Sequence, residues 1–350
     1  MYIVGIPKEI KEFERRVSLV PSDIRRLLGG SGNGNAGSSG IIVCVQKNAG
    51  RKAGYSDDNY VACGAIILNT TKEIYDRANI IVKVKEPQPL EYPLITSKHT
   101  ILSFFHFAGN CGLVDAMVKS RAKCYAYETI QDCKGQFPIL SPMSIIAGEK
   151  AMMEADIFLN KNGKKNKYNI ITIIGVGNVG RAAAEQAILL GYQNIYLIDN
   201  DYDKIKAIEQ SNPSIYKAYE MNDRNLKKLL IFSNVVISSI YTNGMKATRI
   251  ITTELLDLMS HTGAIIMDVA IDQGGTTEKS LPTTLCNPII KYKNTSIYCV
   301  PNIPSTEPTE ASIKLSNAIY PYLHSILYDT IREDNMYYKE LQRGLYVSHR

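Results

Sequence analysis

The sequence predicts an α/β protein of two domains. Three observations carry that prediction. The chain has 350 residues, more than one domain of ordinary size. Short apolar runs rich in β-branched residues alternate with helical stretches along most of it. Near the middle, an apolar run, a glycine turn, an alanine-rich helix and a second apolar run follow one another without interruption.

The elements read as follows. YIVGIP opens the chain as a short buried strand, and SDIRRLL (Ser22 to Leu28) reads as a helix with Ser22 as its N-cap. GGSGNGNAGSSG (Gly29 to Gly40) is the only low-complexity tract; with that composition it buries no core and reads as a mobile loop. IIVCVQ, NIIVKVKEP and TILSFFHF read as further strands. SPMSIIAGEKAMMEADIFL (Ser141 to Leu159) reads as a helix with Ser141 as cap and Pro142 at its first position. YNIITII and NIYLIDND flank the glycine turn and its helix, and SNVVISSI, GAIIMDVA and SIYCVPNIP read as later parallel strands buried on both faces. Glu310 to Leu327 is helical again.

Composition narrows the function. A hydrophobic share of 45% is enough for real cores. The net charge of +6 is modest, and basic residues are interleaved with acidic ones, which argues against a nucleic-acid partner. The densest basic run, KNGKKNKY (Lys161 to Tyr168), reads as a solvated turn. The seven cysteines are odd in number and show no CxxC spacing, which argues against a disulfide framework or a zinc site and suits a reducing compartment. The N-terminus turns charged after seven residues, unlike a signal peptide, and no apolar run approaches the ~18 residues of a membrane span. The expectation is a soluble cytoplasmic protein with neither a membrane nor a nucleic-acid partner.

GVGNVG places Gly175, Gly177 and Gly180 in GxGxxG spacing, with Asn178 and Val179 between the last two. The pattern is weak alone. Here a strand precedes it, a helix follows, and Asp199 ends the next strand, 19 residues past Gly180. In that context Gly175 permits the tight turn, Gly177 lets backbone amides approach a pyrophosphate, and Gly180 lets the helix pack on the strand. Asp199 suits the ribose hydroxyls of a dinucleotide and repels a 2′-phosphate, which favours NAD over NADP; Lys204 is a nearby cation in the same candidate set.

Four stretches pair charge with an apolar frame: FERRVSLVP with Arg15 and Arg16, VKVKEP with Lys83 and Lys85 on one strand face, FFHFAG with His106, and DVAIDQGG with Asp268 and Asp272. Singly each has a bland reading: a core histidine, solvent-facing lysines, a strand that ends in a solvated turn. Together and in order they resemble one family, alanine dehydrogenase, in the group it forms with the NAD(P) transhydrogenase α subunit. The resemblance runs along nearly the whole chain, through GIPKEIKEFERRVSLVP, VKVKEP, FFHFAG, AYETIQ, SPMSIIAG, GVGNVG, DVAIDQGG and CVPNIP.

The resemblance implies roles. Arg16 would bind the substrate carboxylate at two points, as a guanidinium fork can. Lys85 would contact the carboxylate and carbonyl oxygen, while His106 and Asp272 would be catalytic. Ser144, Asp199, Ile240, Val269 and Asn302 fall where the family contacts the dinucleotide. The implied reaction is reversible oxidative deamination of alanine to pyruvate and ammonia, with no metal required. A homo-oligomer, often a hexamer, is also implied. So is an architecture in which a Rossmann NAD-binding domain, residues 141–304, is inserted into a substrate domain made of residues 1–140 and 305–350, with a cleft between the two. A relative acting on another 2-oxo acid or amine, and a non-catalytic dinucleotide-binding subunit, stay open as alternatives. The chain departs from the family at NKNGKKNKYN, where a glycine-rich segment is usual, and at NGMKAT (Asn243 to Thr248).

Overall fold

The computed structural model describes residues 1–29, 40–240, 246–328 and 335–347. Residues 30–39 of the glycine-rich tract and 243–245 of NGMKAT lie outside the described residues. Two compact units result, Met1–Met143 with Ser305–Arg350, and Ser144–Pro304.

In the first unit six strands run parallel: β1 (Tyr2–Ile6), β2 (Ile41–Gln46), β3 (Ile66–Leu68), β4 (Ile80–Lys85), β5 (Thr100–Phe104) and β6 (Lys123–Ala126). Their spatial order is β3-β2-β1-β4-β5-β6, and a C-terminal strand, Leu345–Val347, pairs antiparallel with β6. The chain winds one way from β1 and the other way from β4. The carboxyl ends of these two neighbours therefore flank a topological switch point, where open α/β sheets bind ligands.

The second unit repeats the plan. Strands β7 (Ile170–Ile174), β8 (Asn194–Asp199), β9 (Tyr216–Glu220), β10 (Val235–Ser238), β11 (Ile265–Asp268), β12 (Ile289–Tyr292) and β13 (Thr295–Tyr298) stand in the order β9-β8-β7-β10-β11-β13-β12. All but β12 are parallel. Ile171, Ile173, Val235, Ile237, Ile265 and Met267 enter one core, while Ile174, Val236, Ile266 and Ile297 enter another. Alternation with both sides apolar is what a doubly covered parallel sheet requires.

Two expected caps are not caps. The first helix runs Pro21–Leu27 with Val20 before it and no side-chain cap. Proline's fixed φ suits the first helical position, so Ser22 lies inside the helix. The long helix runs Leu140–Lys161, which places Ser141 within it, its amide donating to Phe137 O. The TILSFFHF strand also stops early, at Phe104, because His106 takes a left-handed backbone with φ 52°. The lysine-rich run at 161–168 is exposed, as expected of a solvated turn.

The C-terminal helix Pro308–Leu327 completes the first unit through hydroxyls. Ser312 Oγ accepts from the Val17 amide at 2.9 Å, and Ser316 Oγ accepts from the Val20 amide at 3.0 Å. The two serines are four apart and thus on one helix face. They satisfy buried loop amides that have no strand partner, and so fix the segment that carries Arg16.

Beneath β4 lies a buried ionic cluster. Lys83 is wholly buried, with its ammonium 3.0 Å from Glu91 and 3.4 Å from Glu9. Glu9 Oε1 accepts the Val84 amide at 2.6 Å, so one carboxylate grips the strand between Lys83 and Lys85. Burial raises the Glu9 carboxyl from 4.5 to about 7; Lys83 and the Val84 amide work against that rise, and Glu14 and Glu91 reinforce it. A carboxyl raised on folding binds its proton more tightly in the folded state. Its contribution is full below its unfolded pKa of 4.5 and is lost as pH rises through about 7. Wild type should therefore lose stability relative to Glu9→Gln between those limits, by on the order of 2 kcal/mol. Denaturant midpoints of both proteins at a series of pH values check this, and parallel curves would refute it.

Candidate functional site

At the carboxyl edge of the first sheet, neighbouring strands deliver the predicted charged residues. Arg16 lies in the loop after β1, Lys85 ends β4, and His106 follows β5 by two residues. Lys85 and Phe104 are register partners, which sets the lysine and histidine segments side by side. Arg16 is 3% exposed, and its Nε and Nη2 donate to the two oxygens of Glu14 at 2.8 and 2.6 Å. Glu14 also accepts the amides of Arg15 and Arg16, at 3.1 and 2.9 Å. One edge of the fork is thus taken by the chain's own carboxylate. On the other edge, Nη1 lies 3.2 Å from Met143 Sδ. Lys85 is buried and His106 exposed.

In the second unit the carboxyl ends of β7 and β10 meet at the switch point. Gly175 has φ 80°, and a Cβ there would lie 3.1 Å from Ser239 O and 3.2 Å from Ile240 N. Ser239 Oγ donates to Gly175 O at 2.7 Å. A Cβ on Gly180 would sit 2.1 Å from Gly175 O, so only glycine lets the helix Asn178–Leu189 start so close to β7. Gly148, from the SPMSIIAG stretch, meets the same helix start: its Cβ would lie 2.1 Å from Val179 O. Ser144 is one turn earlier in the long helix. Gly177 is the N-cap of the glycine-loop helix, and a Cβ on it would project into open space. A backbone without a side chain, at a helix N-terminus and facing open space, fits a pyrophosphate.

Asp199 ends β8 and is held on several sides. Its Oδ2 accepts the Val176 amide of the glycine loop at 2.6 Å and lies 3.1 Å from Lys204 Nζ; its Oδ1 accepts the Asp201 amide at 2.9 Å. Burial works against the ionised form, but the Asp201 and Val176 amides and the Lys204 ammonium outweigh it and lower its pKa. A cavity of about 560 Å³ beside it is lined in part by Gly177, Asn178, Arg181 and Lys204.

The two acids of DVAIDQGG have different fates. Asp268 is 1% exposed at the end of β11. Its Oδ2 accepts the Thr276 amide at 2.7 Å and the Ser280 hydroxyl at 2.5 Å. Val269–Gln273 forms a 3-10 turn, and Gly274 and Gly275, at φ 102° and 80°, return the chain to Asp268. A Cβ on Gly275 would lie 2.9 Å from Asp268 Oδ2 and 2.6 Å from Ser280 Cβ. Asp272 stands exposed in that turn, with Oδ2 accepting the Asn302 amide at 3.0 Å. Asn302 itself is left-handed, φ 56°, just past β13. Val269, Asp272 and Asn302 thus share the carboxyl edge of the second sheet.

Sequence reasoning missed Glu9, Glu14 and Glu128. Glu9 and Glu14 lie in the opening block and Glu128 in AYETIQ, so the signal was on the page as acids among apolar residues. Their partners, from 1 to 75 residues away, were not.

Known proteins share the sequence pattern and the fold of both units. The family described as "Alanine dehydrogenase/PNT, N-terminal domain" matches residues 5–147, and its C-terminal-domain counterpart matches residues 163–350. The alanine dehydrogenase of Halomonas elongata is 32% identical over 91% of this chain and 86% of its own length. That of Bacillus subtilis is 32% identical over 91% and 84%. A solved L-alanine dehydrogenase superposes with a TM-score of 0.86 at 29% identity, covering 99% of this chain and 96% of the other. A transhydrogenase from Sinorhizobium meliloti, 20% identical with a TM-score of 0.79 over 99% and 97%, shares the fold. With both domains matched, at residues 5–147 and 163–350, the chain belongs to the alanine dehydrogenase/PNT family.

Proposed function

We propose that this protein is an NAD-dependent alanine dehydrogenase. It converts L-alanine, NAD and water into pyruvate, ammonium, NADH and a proton, and runs the reverse reaction. The observation that carries this reading is the carboxyl edge of the first sheet, where neighbouring strands deliver Arg16, Lys85 and His106. Two cations and an imidazole suit a substrate with a carboxylate, an adjacent carbonyl or imine, and protons to exchange.

Arg16 holds the substrate carboxylate, with Glu14 fixing the guanidinium plane. Lys85 binds the carboxylate and carbonyl oxygen and draws electron density from the carbon that changes oxidation state. His106 moves the proton of the attacking water and of the departing nitrogen, as a histidine side chain can in either direction. Asp272, exposed on its turn, offsets positive charge on the imine nitrogen. The nicotinamide supplies the hydride acceptor in one direction and the donor in the other. Gly175, Gly177, Asn178, Val179 and Gly180 would hold the pyrophosphate of the dinucleotide, and Ser144, Ile240, Val269 and Asn302 its other parts.

The choice of NAD rests on Asp199, which is kept ionised and already neutralises Lys204. Asp199→Ser removes the charge that repels a 2′-phosphate and leaves Lys204 beside the cavity it shares with Arg181. The ratio of kcat/KM for NADH over NADPH should fall by about tenfold or more, roughly 1.4 kcal/mol. An unchanged ratio would remove Asp199 from this role. The seven unpaired cysteines support a cytoplasmic setting, and a homo-oligomer, whose mass light scattering measures, belongs to the same proposal.

The deciding experiment is NADH oxidation with pyruvate, with and without ammonium, followed by product identification. Ammonium-dependent oxidation yielding alanine is expected. Oxidation without ammonium, yielding lactate, would make the protein a 2-oxo acid reductase; none at all, with NADH bound, would point to another substrate or to a binding subunit. His106→Ala should lower turnover by about 100-fold or more with NADH affinity retained. Full turnover in that variant would exclude the histidine.

A further inference from the structure

AYETIQ is a stretch of the family pattern whose acid, Glu128, has no role in the reaction above. Glu128 follows β6, in the 3-10 turn Tyr127–Thr129, and is 8% exposed. Its Oε1 accepts the His106 amide at 2.6 Å, and its Oε2 accepts the Phe105 amide at 3.2 Å. One carboxylate therefore takes two consecutive amides where β5 breaks off. His106 stands there in the left-handed region, φ 52° and ψ 44°, a conformation that costs a side chain other than glycine roughly 1 kcal/mol or more. The register puts Ser103 opposite Ala126, so the two strand ends lie level and the glutamate reaches its neighbour without crossing the sheet.

The residue before the glutamate supports the same corner from its ring side. Tyr127 is wholly buried and meets Phe104 edge to face, ring centroids 5.2 Å apart. Phe104 lies parallel to the His106 imidazole, 6.1 Å away and 9° from coplanar. Of two adjacent residues after β6, Glu128 thus holds the His106 backbone and Tyr127 backs Phe104, the ring parallel to its imidazole.

We propose that Glu128 is a positioning residue for His106: its carboxylate locks the Phe105 and His106 amides and so imposes the left-handed corner that presents the imidazole. Both its oxygens are occupied by backbone donors, so it acts through the histidine and not on the substrate. The proposal rests on the reading that His106 moves protons in the reaction.

The test is Glu128→Gln, which keeps one acceptor oxygen and turns an NH2 against an amide N–H. It is made in the native chain, in His106→Ala and in His106→Gly, with kcat, KM, NADH affinity and thermal midpoint measured for each. In the native chain kcat should fall by about tenfold or more while NADH affinity holds. In His106→Ala the same change should leave the residual kcat unaltered, because residues acting as one unit are not additive. In His106→Gly, where glycine adopts the corner without strain, Glu128→Gln should lower the thermal midpoint by clearly less than in the native chain. Equal factors in kcat across the first two backgrounds, or equal midpoint losses across native and glycine chains, would overturn the proposal. Full activity of His106→Ala would instead overturn the role of His106, and the midpoint comparison would still decide the clamp.

Discussion

Backbone amides that leave the end of a parallel strand lose their sheet partner, and a buried amide must find another. In this chain side-chain carboxylates supply it at one strand end after another. After β1, Glu14 takes the amides of Arg15 and Arg16. At the end of β4, Glu9 takes that of Val84, and after β5, Glu128 takes those of Phe105 and His106. In the second unit Asp199 takes Val176 and Asp201, Asp268 takes Thr276, and Asp272 takes Asn302. An ionised acceptor makes the shorter and stronger hydrogen bond. A loop held in this way is rigid at the strand end, where the charged and titratable side chains emerge.

The same device fixes the electrostatics. A buried carboxylate without compensation is costly, and the chain compensates in two ways. Glu14 pairs with Arg16, and Glu9 and Glu91 share Lys83. Glu128 and Asp268 rely on backbone amides and, for Asp268, a serine hydroxyl. Ion pairing orients the cation as well: a guanidinium held by two bonds on one edge lies in a set plane. An arginine oriented beforehand loses little freedom when a carboxylate arrives, which is the condition for strong transition-state electrostatics.

What was legible in the sequence follows from range. GVGNVG could be interpreted because its strand, its helix and Asp199 lie within one stretch, and the geometry of Gly175 and Gly180 bears out their turn and packing roles. The strongly apolar central strands were legible from composition. The edge strands β3, β9 and β12 are short or polar, β6 is only KCYA, and the C-terminal strand pairs antiparallel, so none has the signature of a buried parallel strand. Ser22 and Ser141 looked like caps from local preference alone; Pro21 and an earlier helix start displaced them. Glu128 and Glu9 were illegible because their amides are 22 and 75 residues away and become neighbours only when the sheet forms.

The two acids of DVAIDQGG show why proximity to a site does not confer chemistry. A side chain that meets a bound molecule must be accessible to it. Asp268 is 1% exposed, pressed against Gly275, and spends Oδ2 on the returning chain. It closes the loop, and the double glycine is the backbone that lets it do so. Asp272 stands at the apex of the loop that Asp268 closes, exposed, with one oxygen on the Asn302 amide. The first acid therefore shapes the turn and the second is presented by it. The spacing of four is set by the single 3-10 turn between them.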